Sequence, residues 1–111
     1  MAQKLELVKN NTESLLLFLI GQQPMYGYQI IKELENKSQG YFKFKEGTLY
    51  PALHRLEKTG LIEGRWQAIT SGRRRRYYYI TEKGMQLLAE KKTEWLDFLK
   101  AMNLIIQPTG S

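Results

Sequence analysis

The sequence predicts a mainly α-helical fold with a small β-hairpin, an α+β class, on three observations. Three stretches in the first 60 residues place apolar side chains at helical spacing. Two runs of strand-forming residues then flank Ser71 and Gly72, a turn signal. From Thr81 onward, apolar residues return to helical spacing and keep it almost to the C-terminus. A length of 111 residues fits one domain.

The composition excludes several classes of protein. Cysteine is absent, which rules out disulfides and thiolate metal sites. His54 is the single histidine and no carboxylate pair has ligand spacing, so we predict neither a metal nor another cofactor. The longest apolar run, residues 15–20, is far shorter than the roughly 20 residues that cross a bilayer. The N-terminus also lacks a signal-peptide pattern, so we expect a cytoplasmic protein without a membrane partner.

The net charge of +6 is concentrated in one central segment. Residues 41–80 contain nine basic and three acidic side chains, so they carry the whole excess, and both ends of the chain are balanced. Such asymmetry is typical of a surface that binds a polyanion. An anionic membrane is the less favoured partner, because it requires a basic amphipathic helix and the arginines do not lie on one.

The first two predicted helices are separated by the Gly-Gln-Gln-Pro sequence of residues 21–24. Asn11 or Thr12 is the predicted N-cap of the first helix, and Leu5 and Val8 favour an extension towards the N-terminus. The second helix follows after a short turn and places on one face Tyr26, Ile30, Ile31 and Leu34.

The third predicted helix has one apolar and one polar face. Leu49, Leu53 and Leu56 follow i, i+4, i+7 spacing, and Gly60 is placed to end the helix. Because proline is tolerated only in a first turn, Pro51 requires the helix to begin near residues 46–49. The opposite face is polar and aromatic at first and then cationic, and it comprises Thr48, Tyr50, Pro51, His54, Arg55 and Lys58.

The predicted hairpin carries four adjacent arginines at its tip: Arg73, Arg74, Arg75 and Arg76. Adjacent like charges repel one another, which favours a bound anion over the alternative of a flexible, solvated loop tip. Arg76 shares a strand face with Tyr78 and lies nearest the tyrosines, which suits it best to a structural role. The tyrosines are more typical of hairpin core than of base-stacking platforms, because those require an open sheet of several strands.

The last predicted helix, capped by Thr81, carries an apolar heptad with Lys92 as its one polar member. Trp95 and Phe98 alone would expose about 150–250 Å² each. Their sum approaches the largest apolar patch of a typical monomer, roughly 300–600 Å², so we expect a homodimer. The predicted dimer interface comprises Leu5, Val8, Leu88, Trp95, Phe98, Leu99, Met102 and Ile106.

Two helices joined by a short turn, followed by a hairpin with a basic tip, are typical of a winged helix-turn-helix. An α-helix fits the major groove of DNA, where base edges are distinguishable, and a hairpin lies along the backbone or enters the minor groove. Tyr50 either contacts a phosphate or packs against the wing, and a solvated surface is the alternative for the whole helix face. The predicted DNA-binding residues are Lys43, Lys45, Thr48, Tyr50, Pro51, His54, Arg55, Arg73, Arg74, Arg75 and Arg76.

The sequence resembles PadR-type transcriptional regulators in three blocks: "YGYQIIKEL" at 26–34, "EGTLYPALHRLEKTGLIE" at 46–63 and "GRRRRYYYITEKG" at 72–84. The single C-terminal helix is similar to that of a short-tailed subgroup, which dimerises through this helix and includes repressors of multidrug exporters. The predicted domain organisation is a winged helix-turn-helix DNA-binding domain at 1–81, with residues 1–11 joining the dimer seam, followed by a dimerisation helix at 82–107 and a frayed tail at 108–111.

In that subgroup an aromatic residue of the last helix lines a flat ligand pocket at the dimer centre, and Trp95 falls at its position, with Leu99 one turn further on. The resemblance thus implies a small planar apolar or cationic effector, while packing of the dimer core is the alternative for Trp95. The wing has one more arginine than the family pattern, and Lys92 on the seam also departs from it.

The predicted function is that of a dimeric, sequence-specific transcriptional regulator that reads a pseudo-palindromic operator in double-stranded DNA, and the resemblance implies that it is a repressor. The alternatives are a non-specific architectural DNA-binding protein and a winged-helix domain that binds other proteins. An enzyme is not predicted, because the sequence has one histidine, no Gly-rich phosphate loop, and no nucleophile with a base at recognisable spacing.

Overall fold

Four helices and a small sheet make up the part of the chain that is described. The computed structural model describes residues 2–107, with side chains from residue 11 onward. The elements are α1 (Ala2–Ile20), β1 (Met25–Tyr26), α2 (Gly27–Lys37), α3 (Glu46–Lys58), β2 (Ile62–Ala68), β3 (Arg74–Ile80) and α4 (Glu82–Ile106). The order confirms the predicted α+β fold, three helices followed by a hairpin and a long helix, and adds β1 to it.

The first helix has the N-terminal extension that Leu5 and Val8 favoured, but not the predicted N-cap. α1 starts at Ala2, so Asn11 and Thr12 lie inside it and their predicted role as N-cap is wrong. Good helix formers such as lysine, leucine and glutamate precede them, so the helix continues without a break at residue 11. Thr12 is buried instead. The predicted end is confirmed, since the Gly21 N–H donates to the Leu17 carbonyl at 2.9 Å in the last turn.

A short strand joins the hairpin from the other side. Met25 and Tyr26 pair antiparallel with Tyr78 and Tyr77, which gives a three-stranded sheet in the order β1-β3-β2. The predicted place of Tyr26 on the apolar face of the second helix is wrong, because Tyr26 has extended backbone angles and precedes that helix. Two residues are too few to show the alternation that predicts a strand. β1 is therefore defined by its pairing with β3.

The core lies between the first three helices and the inner face of the sheet. Leu49, Leu53 and Leu56 of α3 are each at most 1% exposed, in agreement with their spacing. Burying a leucine contributes about 1.5–3 kcal/mol, so this stripe is a main source of stability. The other elements contribute to the same core Leu16, Ile20, Met25, Ile30, Leu34, Ile62 and Tyr78.

α3 begins at Glu46, within the predicted range, and ends before Gly60, whose φ of +79° suits glycine. Pro51 lies in the second turn rather than the first. A proline there has no N–H to donate to the carbonyl of Gly47, the hydrogen bond that a regular helix would make. The first turn is closed by Thr48 and Leu49, whose N–H groups both donate to the carbonyl of residue 45 at 3.0 Å.

α4 leaves the core after its first turns. Thr81 caps it, as predicted, by accepting a hydrogen bond from the Gly84 N–H at 3.0 Å. A β-carbon at Gly84 would lie 2.1 Å from the Leu61 carbonyl oxygen, so only glycine permits this close docking. The helix then extends outward, and the molecule measures 59 × 30 × 24 Å. Within residues 2–107, no helix combines the length and apolar character needed to cross a membrane.

Candidate nucleic-acid interface

The polar face of α3 is exposed along the whole helix, opposite the buried leucines. The predicted residues on this face are all exposed: Thr48, Tyr50, Pro51, His54, Arg55 and Lys58. They present hydroxyl, imidazole and cationic groups on one rigid helix, the groups that contact base edges and phosphates in DNA complexes. Among the described residues, His54 included, no group of three or more histidine, aspartate or glutamate side chains could hold a metal ion.

Tyr50 is held in place by the start of α2. A β-carbon built on Gly27 would lie 2.2 Å from the Tyr50 hydroxyl oxygen, so the glycine is what allows the phenol to lie there. Burial, and after it the charge of Glu46, raises the pKa of Tyr50 above its usual value of 10.0. The phenol therefore stays protonated at neutral pH and can donate a hydrogen bond. The sequence did not predict this contact with α2.

The cations around α3 differ in what holds them. The Arg55 Nε atom donates to Glu13 Oε2 on α1 at 3.2 Å, and both side chains are about half exposed. Such an exposed pair contributes no more than about 1 kcal/mol, so a phosphate can compete for Arg55. Lys43 and Lys45 are exposed on either side of the buried Phe44. Side chains alternate sides in an extended segment, so burying the ring turns both lysines outward.

β2 and β3 form the predicted wing. Its loop is closed by two hydrogen bonds of 2.9 Å, from the Ile69 N–H to the Arg73 carbonyl and from the Gly72 N–H to the Ile69 carbonyl. Gly72 has a φ of +81°, which glycine adopts without strain. The strands are in register from Ile62 opposite Ile80 to the loop. The hairpin predicted around Ser71 and Gly72 is thus confirmed.

Three of the wing arginines lie at or near the tip. Arg73 and Arg74 are exposed there, and the Arg74 guanidinium lies 5.6 Å from the centre of the Trp66 ring. On the other face of the hairpin, the Arg75 guanidinium lies over the Tyr26 ring at 4.0 Å. Cation–π contacts of this kind contribute about 0.5–1 kcal/mol at exposed sites. The aromatic residues beside the arginine run therefore support the arginine side chains on both faces.

Arg76, in contrast, forms an ion pair with a residue of α3. Its Nη2 atom donates to Glu57 Oε2 at 2.7 Å, and this hydrogen bond raises the pKa of Arg76. The same carboxylate oxygen accepts a hydrogen bond from the Gly64 N–H on β2 at 3.3 Å. Tyr78 is buried next to them, and burial, followed by the charge of Glu57, raises its pKa. The ion pair agrees with the structural role that the sequence favoured for Arg76.

Sequence reasoning missed three residues that surround Arg76: Glu57, Gly64 and Trp66. Trp66 lies directly opposite Arg76 in the hairpin and is 55% exposed. Aligning the two strands about the turn would have found this pair. The approach of Glu57 to Gly64 depends on how α3 docks on the hairpin, which no local pattern predicts.

A second candidate site lies between α1 and α4. It is a cleft of about 630 Å³ that contains both Trp95 and Leu99, the residues predicted to contact an effector. Its apolar lining is completed by Leu15, Phe18, Tyr41, Phe42, Leu88 and Leu96, and its polar lining is Asn11, Ser14, Gln22 and Lys92. The Trp95 ring packs edge-on against Phe98, with ring centres 5.8 Å apart.

The predicted dimer residues form an open stripe along α4. Leu88 and Trp95 are partly buried, and the more distal members are exposed: Phe98, Leu99, Met102 and Ile106. Leu104, absent from the prediction, adds to the exposed apolar area of this helix. The side chains of Leu5 and Val8 lie outside the described residues.

An exposed polar helix that follows another helix after the connection at residues 38–45, with a cationic hairpin attached to its C-terminal half, defines the winged-helix class of DNA-binding proteins. Residues 16–90 match the family described as "Transcriptional regulator PadR-like family". The chain belongs to this family and is a DNA-binding transcriptional regulator, as the resemblance implied.

Similar proteins agree with this assignment along most of the chain. An uncharacterized protein of Lysinibacillus sphaericus is 33% identical over 102 residues, which are 92% of this chain and 94% of the relative. The crystal structure of a PadR-like transcriptional regulator from Bacillus cereus is 35% identical, with a TM-score of 0.81, over 92% of this chain and 97% of that one. A transcriptional regulator from Clostridium thermocellum is 32% identical, with a TM-score of 0.77, over 92% and 96%. These relatives are described as regulators, or carry no described activity, and not as enzymes.

Proposed function

We propose that the protein is a homodimeric repressor that reads a pseudo-palindromic operator with α3 and binds phosphates with its wing. The observation that carries the proposal is the placement of two exposed surfaces on one chain: the polar face of α3 beside the cationic wing, and the apolar stripe of α4. The first surface suits double-stranded DNA and the second suits a copy of itself. We accordingly assign residues 1–81 to the DNA-binding domain and residues 82–107 to the dimerisation helix.

In this proposal the base contacts come from the first three turns of α3. Thr48 and His54 are exposed, and their side chains can donate hydrogen bonds to base edges or accept them. The Tyr50 ring packs on Gly27, so less of it is available for contact with DNA. Phosphates are bound by the cations that surround this face: Lys43, Lys45, Arg55, Arg73, Arg74 and Arg75. Pro51 lies on the same face and contributes shape only.

Dimerisation through α4 is supported by the exposure of its apolar side chains. Leu99 and Ile106 are 53% and 64% exposed, which is high for large apolar residues at heptad positions. Two copies related by a two-fold axis would cover each other's stripe with the same residues. The axis would also place two α3 helices about 34–36 Å apart, one turn of DNA, to read half-sites of opposite direction.

An effector is the finer part of the proposal. The cleft between α1 and α4 has the size typical of small-molecule sites, about 300–1,000 Å³, and its lining is mostly apolar and aromatic. A planar apolar or cationic compound beside Trp95 would compete with the packing of α4 and thereby change the spacing of the two α3 helices. Binding of such a compound would then release the operator.

The test is selection of bound duplexes from a random-sequence pool at about physiological salt, followed by sequencing. We expect enrichment of a two-fold symmetric motif. With about six to ten phosphates neutralised per dimer, the logarithm of the affinity should fall with the logarithm of the salt concentration at a slope of about −5 to −9. Retention of DNA without enrichment would favour an architectural role, and a slope near zero would exclude phosphate binding by the wing.

Variants separate the two proposed kinds of contact. Thr48→Ala with His54→Ala should reduce the preference for the selected motif over random DNA. Arg74→Gln should weaken binding to all sequences alike and make the salt slope shallower by about 0.9 for each phosphate that is no longer neutralised. The opposite pattern would reverse the roles assigned to α3 and the wing.

A further inference from the structure

Arg76 is set apart from the other wing arginines by where its side chain goes. It lies on the face of the hairpin that turns towards the helices and reaches α3, where it donates to Glu57 at 2.7 Å. The two side chains are 33% and 26% exposed, whereas the ion pair on the outer face of the wing, Arg65 with Glu63, is 60% and 54% exposed. A less exposed ion pair is screened less by water and salt.

Gly64 makes this path possible. In the hairpin register Gly64 lies opposite Tyr78, two pairs further from the tip than Trp66 and Arg76 and on the same face of the hairpin. A β-carbon at Gly64 would lie 2.5 Å from the Arg76 Nε atom and 2.6 Å from its guanidinium carbon. The arginine therefore passes over the glycine to reach Glu57. The Gly64 N–H also donates to that carboxylate at 3.3 Å, so Glu57 holds both strands of the wing.

The Trp66 ring covers the Arg76 guanidinium on the side that faces the tip of the wing. The centre of its ring lies 5.6 Å from the guanidinium carbon of Arg76 and the same distance from that of Arg74. Arg76 is thus surrounded by Glu57, Gly64, Trp66 and Tyr78, and its fixed fork is directed at α3 rather than away from the hairpin.

We propose that Glu57 and Arg76, meeting across Gly64, form a clamp that sets the angle between the wing and α3, and that Arg76 is a positioning residue rather than a phosphate ligand. The inference rests on the proposed DNA recognition by α3 and the wing. Functional groups on two elements act together only when the elements are held within about 0.5 Å and 10–20° of the productive geometry. The clamp supplies this constraint where the wing leaves the body of the domain.

The two possible roles of Arg76 predict opposite effects of changing Glu57. If Arg76 bound a phosphate, Glu57 would compete for it, and Glu57→Gln would strengthen DNA binding. If the clamp positions the wing, Glu57→Gln should weaken binding. Removing a negative charge near DNA strengthens binding in general, so Glu63→Gln, which breaks the outer ion pair of the wing, is the matched control.

The experiment measures the Kd and salt slope of the full-length protein on the duplex enriched by the selection. Loss of a charge-assisted hydrogen bond predicts about tenfold weaker binding for Glu57→Gln, Arg76→Gln and their double variant alike. The salt slope should stay that of the wild type in each of them. Gly64→Ala retains every charge, and its β-carbon displaces Arg76, so it should weaken binding similarly without unfolding the strand. Glu63→Gln should bind at least as tightly as the wild type.

A second readout needs no DNA. In a Trp95→Phe background, Trp66 is the single tryptophan, and its fluorescence anisotropy reports motion of the wing. We expect faster local motion of Trp66, and so lower anisotropy, in Glu57→Gln, Arg76→Gln and Gly64→Ala. Glu63→Gln should leave the anisotropy of the parent protein unchanged. Failure of the wild type to bind any duplex would refute the proposed function and leave this readout intact. Tighter binding by Glu57→Gln than by Glu63→Gln, or a salt slope lowered by Arg76→Gln as much as by Arg74→Gln, would refute the clamp.

Discussion

α3 and α4 both carry an apolar stripe at helical spacing, but only the stripe of α3 is buried within the chain. Leu49, Leu53 and Leu56 are almost inaccessible, whereas Leu99 and Ile106 of α4 are more than half exposed. α3 lies between two other helices and the sheet. α4 shares a cleft with α1 through residues from Leu88 to Leu99, and the apolar side chains of its last turn remain exposed.

The difference shows that periodicity identifies side chains that favour burial without identifying what buries them. Each large apolar side chain moved from water into a packed interior contributes about 1.5–3 kcal/mol. The stripe of α3 has realised this free energy in folding, and that of α4 is available to the proposed dimer. We therefore expect substitutions in α3 to act on the free energy of unfolding and substitutions in α4 to act on the proposed dimer.

The largest expected effect is that of a cavity under α3. Leu53→Ala removes a fully buried side chain, so the free energy of unfolding should fall by about 2–5 kcal/mol. The measurement is urea unfolding followed by circular dichroism at one fixed protein concentration. Leu104→Ala, the same change at an exposed position of α4, is the control and should lower the free energy of unfolding far less. Equal losses at the two positions would mean that α4 is as deeply packed as α3.

The next effect should appear in assembly rather than in folding. Leu99→Glu places a carboxylate in the proposed dimer seam of each subunit, and two uncompensated polar groups of about 1–3 kcal/mol each should raise the dimer Kd by about 100-fold or more. Sedimentation velocity over a range of concentrations measures it. The helical circular dichroism should persist, because Leu99 is exposed within the single chain. Thr93→Glu adds the same charge outside the heptad and should leave the Kd unchanged; a wild type that is monomeric throughout would contradict the proposed dimer.

The same distinction explains what the sequence predicted. The helices and the hairpin follow from local patterns that the fold preserved, as with the leucines of α3 and the turn at Gly72. β1 was missed because two residues become a strand only by pairing with β3. The N-cap of α1 was misplaced because Asn11 and Thr12 favour a cap but do not enforce one.

For the candidate site, local patterns predicted surfaces but not connections. The exposed face of α3 could be predicted because helix geometry alone places Thr48 and His54 opposite the leucines. The link from Arg76 to Glu57 spans 19 positions and depends on the docking of the wing and on the missing side chain of Gly64. The placement of Glu13 beside Arg55 depends in the same way on the packing of α1 against α3.

A smaller effect is expected at the contact between the end of α1 and α4. A β-carbon at Gly21, at the end of α1, would lie 2.3 Å from a methyl carbon of Leu88 on α4. Gly21→Ala should therefore lower the free energy of unfolding by about 1–3 kcal/mol through overpacking, measured by urea unfolding. Leu88→Ala in the same chain should recover part of the loss. Gly47→Ala meets open space within α3 and should raise stability; a loss equal to that of Gly21→Ala would place the cause in backbone conformation instead.

The smallest effect is a pH dependence of stability, because two tyrosines on or near α3, the buried Tyr78 and the more exposed Tyr50, have raised pKa values. Burial, and after it Glu57, raises the pKa of Tyr78, so the folded state holds the phenol proton more tightly than the unfolded chain does. The resulting stability is present below pH 10 and is lost as the pH rises through the folded-state pKa. Between about pH 9 and pH 11, Tyr78→Phe should flatten the fall in the free energy of unfolding relative to the wild type. Tyr50→Phe should flatten this fall less, because Tyr50 is more exposed than Tyr78. Equal slopes of the free energy of unfolding against pH in all three proteins would show that Tyr78 ionises as freely in the folded state as in the unfolded chain.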